Sequence, residues 1–415
     1  MSCYLRATVV LAIAGTVMLA PHGHLAAAPP IRRPAPEGPT IVRLAIDPAA
    51  EPRPALKYTF LTPQSARKPG NAAPFYYRAI IAYAIYRPAI DRQFDEWART
   101  PLDELPRDEM RRLVNGFGGY DDLHEAARRE RCDWDYQLQN VDGLKSLEFH
   151  LTEVQDSRGL ARFLAAKARL EIAEGRYADA VETMGVGFQF ARDLSTAPLI
   201  ICRLVGIAIG GVLDDQAHAF FAAPQSPNLY WAFTELPRPF IDMRPAVEFD
   251  LTLPERVFPM LKDPEHAQHS PEQWADIVSH AYFTLSTALS DRPAAKTYGW
   301  ESRLAATGLA LRGYTQAKRD LIAAGYDAAK IEQMPVGQVI AVDEAYLTHY
   351  IADEIRKWTL VPYAEGGRRT DEVTRKLVHD HYLGPELSSR EVLPINDLLL
   401  PGTASAMEAS NRRDV

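Results

Sequence analysis

The sequence contains very little cysteine, which restricts how the fold can be held together. Only three of its 415 residues are cysteines, and no Cys-x-x-Cys pair is present. Cys3 belongs to an N-terminal leader, whereas Cys132 lies in a charged stretch and Cys202 in an apolar one. At most one disulfide can therefore form in the body of the protein. Cys132 and Cys202 either form it or are two unrelated thiols.

The sequence also lacks an excess of positive charge. Its 54 acidic and 46 basic residues give a formal net charge of -8, and no basic block interrupts them. Because proteins that track phosphates cluster their Lys and Arg residues, nucleic acid is not expected as a partner. Hydrophobic residues at 47% and charged residues at 24% are near the averages for globular proteins. We therefore expect a folded body with one large core or two ordinary ones.

Motifs of the common enzyme classes are missing. The chain has no Gly-Lys-Ser/Thr and no Gly-x-Ser-x-Gly. Gly185-x-Gly187 lacks the third glycine of a dinucleotide-binding loop. His124-Glu125 begins like a zinc-protease helix, but Arg128 stands where the second ligand should be. The sequence therefore predicts no catalytic residue and no cofactor.

Residues 1–28 are typical of a secretory signal peptide, with Arg6, an uncharged run at Ala7–Ala20 and alanines at 26–28. The run is too short to cross a hydrocarbon core of about 30 Å as a helix rising about 1.5 Å per residue. We expect export to the periplasm or cell envelope. Pro29 follows the best cleavage point and hinders signal peptidase, so cleavage either shifts or fails, and an uncleaved leader would tether the protein to the membrane. The proline-rich residues 29–54 would then form the linker.

Strand-type alternation is nearly absent, and helix signals dominate the body. A capping oxygen precedes a proline at Thr100-Pro101, Asp263-Pro264 and Ser270-Pro271, and each pair predicts a helix start. Capping boxes are formed by Ser270 with Gln273 and by Ser388 with Glu391. Apolar residues recur at helical spacing from Trp274 to Leu285 and from Leu347 to Trp358. The prediction is an all-α fold, an irregular or repeat-like (tetratricopeptide-like) helical bundle with little or no sheet.

One helical hairpin is predicted at residues 158–194. The spacing Gly175-x-Tyr177-x-x-Ala180 resembles the turn of a tetratricopeptide hairpin, where glycine permits the turn and alanine lets the helices approach. Such arrays need about three repeats, and Gly325-Tyr326-x-Ala328 is only a weak echo. Two interpretations remain, a single hairpin inside a larger helical domain and a diverged repeat array.

The apolar run Ala197–Leu213 contains Arg203, whose charge would lie near mid-depth of a membrane. A buried helix is therefore preferred to a membrane span. Proline and glycine residues at 223–245 divide the body into a helical region at 55–225 and a second one at 226–400, which is either a separate domain or part of the same one. Residues 401–415 form a tail.

Acid-x-x-His pairs are the weak candidates for metal binding. Three are present: Asp121/His124, Asp215/His218 and Asp263/His266. Chance gives about one or two such pairs in a chain with eleven histidines and 54 acids, and none contains the glutamate usual in di-metal bundles. His379 and His381 would diverge in the last turn of a helix, where they interact with its carbonyls. No metal site is predicted, with His379, His381, Asp215 and His218 as the weak candidates.

An acidic segment contains Asp343, Glu344, His349, Asp353 and Glu354. Its carboxylates could serve acid–base chemistry. The preferred interpretation is a solvated helix face on which Asp353 pairs with Lys357.

Four segments resemble a family of exported, helix-rich bacterial proteins that has no assigned activity. They are Pro69–Ala73, Ala168–Arg176, Asn228–Pro239 and Met334–Val339. The resemblance spans most of residues 55–400 and implies no catalytic residues. It also implies a further helix and a C-terminal module beyond residue 415, so we expect a shortened variant.

The leading hypothesis is a protein–protein interaction or scaffold module of the cell envelope that binds another protein on a concave helical surface. The alternative is a metal-assisted hydrolase with its site in a helical cleft. A third interpretation is a membrane-tethered assembly factor. In each of them the membrane is contacted only through an uncleaved leader.

Overall fold

The computed structural model describes residues 49–86, 91–140, 143, 152–288, 298–361, 365–366 and 369. The leader at 1–28, most of the linker at 29–54, the histidines His379 and His381, the Ser388/Glu391 box and the tail at 401–415 lie outside this range. The described chain is an all-α helical bundle with one small sheet, and this confirms the predicted fold class.

The first half of the chain forms a bundle around three long helices. α5, α6 and α7 pack on one another, and α1 to α4 lie against them. The core between them is rich in aromatic side chains, among them Phe163, Phe188 and Phe190. The helices are α1 Ala73–Tyr86, α2 Asp91–Trp97, α3 Arg107–Gly116, α4 Tyr120–Ala126, α5 Thr152–Ala173, α6 Tyr177–Leu194 and α7 Ile200–Ala222.

The small sheet pairs β1, Lys68–Asn71, in parallel with β2, Arg129–Arg131. Asn71 caps the start of α1, since its Oδ1 accepts a hydrogen bond from the Ala73 amide at 3.2 Å. The same oxygen accepts from the Asp133 amide at 2.8 Å. The cap of α1 is thus tied to the segment after β2.

The second half of the chain forms a second bundle, in which α11, α12 and α14 pack on one another. Three of the shorter helices, between residues 230 and 257, connect it to the first, and a fourth joins α12 to α14. The helices are α8 Tyr230–Thr234, α9 Arg244–Asp250, α10 Leu253–Val257, α11 Pro271–Ala288, α12 Trp300–Ala323, α13 Ala328–Gln333 and α14 Val336–Thr359. Short 3₁₀ helices lie at Ala55–Lys57, Gln64–Ala66, Leu138–Asn140 and Pro259–Leu261.

Each bundle has its own hydrophobic core. Buried residues of the first core extend as far as Met243, and those of the second begin at Val257. A small apolar cluster between α9 and α14 joins them, and Arg256 Nη1 donates to the Leu138 carbonyl at 2.7 Å. The cluster contains Val247, Leu251, Leu347, Ile351 and Ile355.

The hairpin predicted at 158–194 consists of α5, a three-residue turn and α6. Gly175 has φ +71°, a conformation that favours glycine. The Arg176 amide donates to the Glu171 carbonyl at 2.8 Å and the Gly175 amide to that of Ile172 at 3.0 Å. These are the two bonds of a Schellman cap. Gly325 ends α12 with the same pair of hydrogen bonds. That these hairpins belong to a tetratricopeptide array stays a prediction.

Of the three predicted helix starts, one is confirmed. The Gln273 amide donates to Ser270 Oγ at 3.3 Å and the Ser270 amide to Gln273 Oε1 at 2.8 Å, so the capping box forms and α11 begins at Pro271. The starts at Thr100-Pro101 and Asp263-Pro264 are wrong, because both segments are turns. A further proline follows each segment, Pro106 after the first and Pro271 after the second. A proline disfavours helical backbone at the residue before it, which leaves little room for a helix in either segment.

The apolar run Ala197–Leu213 lies mainly in α7, which packs on both α5 and α6 and buries the side that contains Cys202, Val205 and Ile209, whereas Ile201 is exposed. Arg203 is buried and donates to the Asp242 carbonyl. At Gly206 the backbone approaches α6 so closely that a Cβ would lie 2.6 Å from the Ala191 carbonyl oxygen. Among the described residues, no helix is long and apolar enough to span a membrane.

Candidate functional site

The acid-x-x-His pairs lie apart from one another. Asp215 is exposed and His218 half-buried on α7. His124 Nε2 lies 2.7 Å from Glu182 Oε1, and His266 Nδ1 lies 2.8 Å from Asp263 Oδ1. In the described ranges, no three His, Cys, Asp or Glu side chains are grouped so that they could hold a metal ion.

The acidic segment on α14 differs from the expected solvated face. Asp343 and Glu344 are buried, with 4% and 1% of their surface exposed. The predicted pair of Asp353 with Lys357 is also wrong. Lys357 Nζ instead contacts Glu354 Oε1 at 2.5 Å, and Asp353 faces Arg356 at 4.0 Å. Asp343 and Glu344 are buried because the first half of α14 packs on α11 and α12, so that the positions before Tyr346 face the core.

A buried polar cluster in the first bundle was not found from the sequence. The Tyr76 hydroxyl donates to Asp193 Oδ2 and Gln189 Nε2 donates to Asp193 Oδ1, each at 2.7 Å. Trp134 Nε1 donates to the Asp193 carbonyl at 2.8 Å. Burial raises the pKa of Asp193 to about 6, although hydrogen bonds from Tyr76 and Gln189 act in the opposite direction. Because both carboxylate oxygens are bonded inside the core, the cluster is suited to holding α1 against α6.

The two thiols are not joined by a disulfide. Cys132 is half-buried close to Asp193, and burial raises the pKa of its thiol. A protonated thiol is a poor nucleophile. The arrangement therefore does not favour cysteine chemistry at this position.

The surface that stands out is the outer face of α12. It consists of four large apolar side chains whose exposed fractions are 71% for Trp300, 66% for Leu304, 61% for Leu311 and 43% for Ile322. At about 100° per residue these positions fall within an arc of about 40°. They form one straight stripe, which we call the α12 outer face.

The core-facing side of α12 is centred about 120° around the helix from the stripe. Its buried positions are mostly small, namely Ala306, Ala310, Gly313 and Ala317, followed by Leu321. Small residues let α11 and α14 approach closely. The side directly opposite the core is polar, with Glu301, Arg312 and Arg319 exposed on it, as on an ordinary surface helix. The stripe lies between this polar side and the core-facing side. Because its side chains are 43% to 71% exposed, the packing of the described residues does not account for it.

The start of α12 is held in place by hydrogen bonds. Asp276 Oδ1, on α11, accepts from the Tyr298 hydroxyl at 2.6 Å and from Arg303 Nη2 at 2.5 Å. The hydrogen bond from Tyr298 is the main reason why the pKa of Asp276 lies below its usual value, with Arg303 adding to the effect. The α12 outer face is thus presented by a helix fixed to its neighbour at the end where Trp300 lies.

A sequence signal for this face exists. Apolar residues on α12 follow two helical series, 300, 304, 311, 322 and 306, 310, 317, 321, on different sides of the helix. The two series show that α12 has two apolar sides. Periodicity does not show which of them is buried.

Comparison with protein-family models, with curated proteins and with solved structures gives no match. The resemblance to exported, helix-rich bacterial proteins therefore stays a prediction.

Proposed function

We propose that this chain is a protein-interaction module that binds an amphipathic helix of a partner protein along the α12 outer face. The observation that carries the proposal is the exposure of Trp300, Leu304 and Leu311 in one line on a helix whose other side already forms the core. Exposed apolar side chains that line up on one side of a folded protein mark interaction sites.

The shape of the stripe favours a helix as its occupant. From Trp300 to Ile322 it extends about 33 Å at about 1.5 Å per residue. Its width is that of a single helix–helix seam, and its side chains are four, seven and eleven residues apart, spacings that keep them on one line of the helix. A stable dimer between broad surfaces would need about 800 Å² from each partner, more than a stripe one side chain wide supplies.

The charges beside the stripe favour an acidic partner helix. Arg312 and Arg319 lie on one flank, about 100–120° around the helix from Trp300, and both are exposed. Glu301 is the acidic residue on this flank, at the first turn. An acidic residue of the partner near the C-terminal half of α12 would be attracted to the two arginines.

Photo-crosslinking from single positions tests the proposal. A benzophenone amino acid replaces Leu304 or Leu311 in the full chain inside the cells that produce it. Matched controls carry it at Ala305 and Ala323, which are exposed on α12 but lie about 140° around the helix from Trp300, off the stripe. We expect both stripe positions, and neither control, to give an adduct with the same second protein. Absence of adducts at both stripe positions contradicts the proposal. Adducts with a second copy of this chain would also contradict it, because they would mean that the stripe is a homodimer interface.

Export to the cell envelope is part of the same proposal. It is supported by the composition of residues 1–28. N-terminal sequencing of the protein from the envelope fraction tests it. A mature chain beginning near residue 29 indicates cleavage, an intact leader in the membrane fraction indicates a tethered form, and recovery from the cytoplasm contradicts export. The metal-assisted hydrolase stays an untested alternative, which no contact among the described residues favours.

A further inference from the structure

The first residues that the structure describes are held against α8. Asn228 precedes this helix, and its Oδ1 accepts a hydrogen bond from the Tyr230 amide at 2.8 Å. Its Nδ2 donates to the Ala49 carbonyl at 3.2 Å. Trp231 Nε1 donates to Glu51 Oε1 at 2.6 Å. Two side chains at the start of α8 therefore fix the point at which the linker enters the first bundle.

Beside these hydrogen bonds, α8 exposes two aromatic rings. Tyr230 is 64% and Trp231 38% exposed, and their rings lie edge to face with 5.1 Å between centroids. Phe233, on another side of the helix, instead packs on Phe60 with 4.7 Å between centroids. The described residues thus cover one side of α8 and leave Tyr230 and Trp231, which we call the α8 aromatic pair, largely uncovered.

The residues directly before Ala49 have a one-sided apolar pattern. Positions 40–48, which lie outside the described range, read Thr-Ile-Val-Arg-Leu-Ala-Ile-Asp-Pro. In an extended backbone alternate side chains share a side. One side would then consist of apolar residues, namely Val42, Leu44 and Ile46. The other would contain Arg43 and Asp47, and such alternation is typical of a segment that covers an apolar surface.

The α8 aromatic pair lies within reach of this segment. Ile46 is three residues before Ala49, and an extended chain covers about 3.3 Å per residue, so Ile46 can lie up to about 10 Å from the position that Asn228 holds. Tyr230 follows Asn228 by two residues, which places its Cα within about 7 Å of that of Asn228. Because the chain is already fixed at Ala49, docking the residues before it closes only a short loop, and the entropic cost is small.

We propose that residues 41–46 dock in extended form on the α8 aromatic pair, with their apolar side against the rings of Tyr230 and Trp231. Aromatic rings offer a large apolar area at a small loss of rotamer freedom, which favours such contacts. Residues 41–46 would then be a strap on the first bundle, and only residues 29–40 would remain as the spacer. The proposal goes beyond the partner-binding function and does not depend on it, because the α8 aromatic pair and the α12 outer face lie on different helices.

Limited proteolysis of the full chain with trypsin tests the proposal, because the strap and the spacer each contain a cleavage site. The bond after Arg43 lies in the strap and the bond after Arg32 in the spacer. Cleavage of a docked segment follows the fraction of molecules in which it is undocked. A synthetic peptide of residues 29–48 gives the intrinsic rates of both bonds, measured by mass spectrometry of the early products.

In the full chain we expect the bond after Arg43 to be cleaved at least about tenfold more slowly than in the peptide, and the bond after Arg32 at a rate within about twofold. Tyr230→Ala and Leu44→Ser should each restore cleavage after Arg43 by about fivefold or more, because each removes an apolar side chain from the contact. The matched control is Trp300→Ala, which removes a similarly exposed aromatic ring from the second bundle and should leave both rates unchanged.

Three results overturn the proposal. The first is equal cleavage after Arg43 in the full chain and in the peptide, or equal protection of the bonds after Arg32 and Arg43. The second is wild-type protection in Tyr230→Ala whose circular dichroism is unchanged. The third is protection that is lost on dilution of the protein, because the segment on the α8 aromatic pair would then come from a second copy of the chain.

Discussion

The two bundles use their side chains differently. In the first, aromatic residues such as Phe163 and Phe188 fill the core, and the buried Asp193 has hydrogen bonds to both carboxylate oxygens. In the second, α12 faces the core through small residues and exposes a second apolar side, on which Trp300 is 71% and Leu304 66% exposed. The first bundle also exposes apolar side chains, since Ile81 and Ile85 on α1 are 60% and 78% exposed. The difference therefore lies in how the cores are filled, and the longer apolar line on α12 is the surface where we expect binding.

The largest expected effect is that of removing an aromatic ring from the first core. Phe163 is fully buried, with ring centroids of Phe94 at 5.5 Å and Phe117 at 4.6 Å. Phe163→Ala should lower the free energy of unfolding by about 3–5 kcal/mol, because the cavity is added to the lost transfer free energy. Trp300→Ala, on the exposed α12 outer face, should change it by less than about 0.5 kcal/mol. Urea unfolding measures both, and equal losses would contradict the contrast between the bundles.

Two glycines of α7 give a sharper test of packing. A Cβ at Gly206 would lie 2.6 Å from the Ala191 carbonyl oxygen, whereas a Cβ at Gly211 would meet no described atom within 4 Å. Gly206→Ala should destabilise the protein by about 1–3 kcal/mol through overpacking. Gly211→Ala should stabilise it by about 0.5–1 kcal/mol through helix propensity. Thermal unfolding of both variants checks the opposite signs, and a neutral Gly206→Ala would mean that α6 and α7 can move apart.

The junction of the bundles should show a pH dependence. Burial raises the pKa of the half-buried Asp250, at the end of α9, to about 7. The folded state therefore binds this proton more tightly than the unfolded state, and stability falls as the pH rises from about 4 to about 7. Asp250→Asn cannot ionise and should be more stable than the wild type at pH 8. Since one pKa unit corresponds to about 1.4 kcal/mol and the group is partly solvated, the gain should be about 1–2 kcal/mol.

Urea unfolding of Asp250→Asn and the wild type at pH 5 and pH 8 measures this difference. If the free energies of unfolding of Asp250→Asn and the wild type changed equally between pH 5 and pH 8, the pKa of Asp250 would not be raised by folding. Burial of Asp193 acts in the same direction over a lower range, since its pKa is raised to about 6. Both chains retain Asp193, so the difference between them reports Asp250 alone.

The smallest expected effect is the loss of one helix cap in the second bundle. Ser270 Oγ accepts from the Gln273 amide, and Ser270→Ala should lower stability by about 1 kcal/mol. Thr100 has a similar local sequence but caps no helix, because its hydroxyl donates to the Glu96 carbonyl. Thr100→Ala should therefore change stability by less than about 0.5 kcal/mol. If the unfolding curves of the two variants coincided, the assignment of Ser270 as a helix cap would be contradicted.

Much of the second bundle's framework could be predicted from the sequence. The apolar series from Trp274 to Leu285 and from Leu347 to Trp358 are buried or half-buried, as their spacing indicates. The binding surfaces were harder to find. The stripe from Trp300 to Ile322 and the buried series from Ala306 to Leu321 have the same helical period, so the pattern alone treats both as core.

What the sequence determined by itself is the local structure. Helix dominance, the glycine turn after α5 and the capping box at Ser270 follow from interactions within a few residues, where backbone sterics and capping bonds act. The tertiary structure alone decided burial and long-range pairing. It buried Asp343 and Glu344, left Leu304 and Leu311 outside, and joined Tyr76 to Asp193 across 117 residues. The physical reason is that burial depends on which helices pack together, and that choice is made by the whole set of contacts rather than by any one segment.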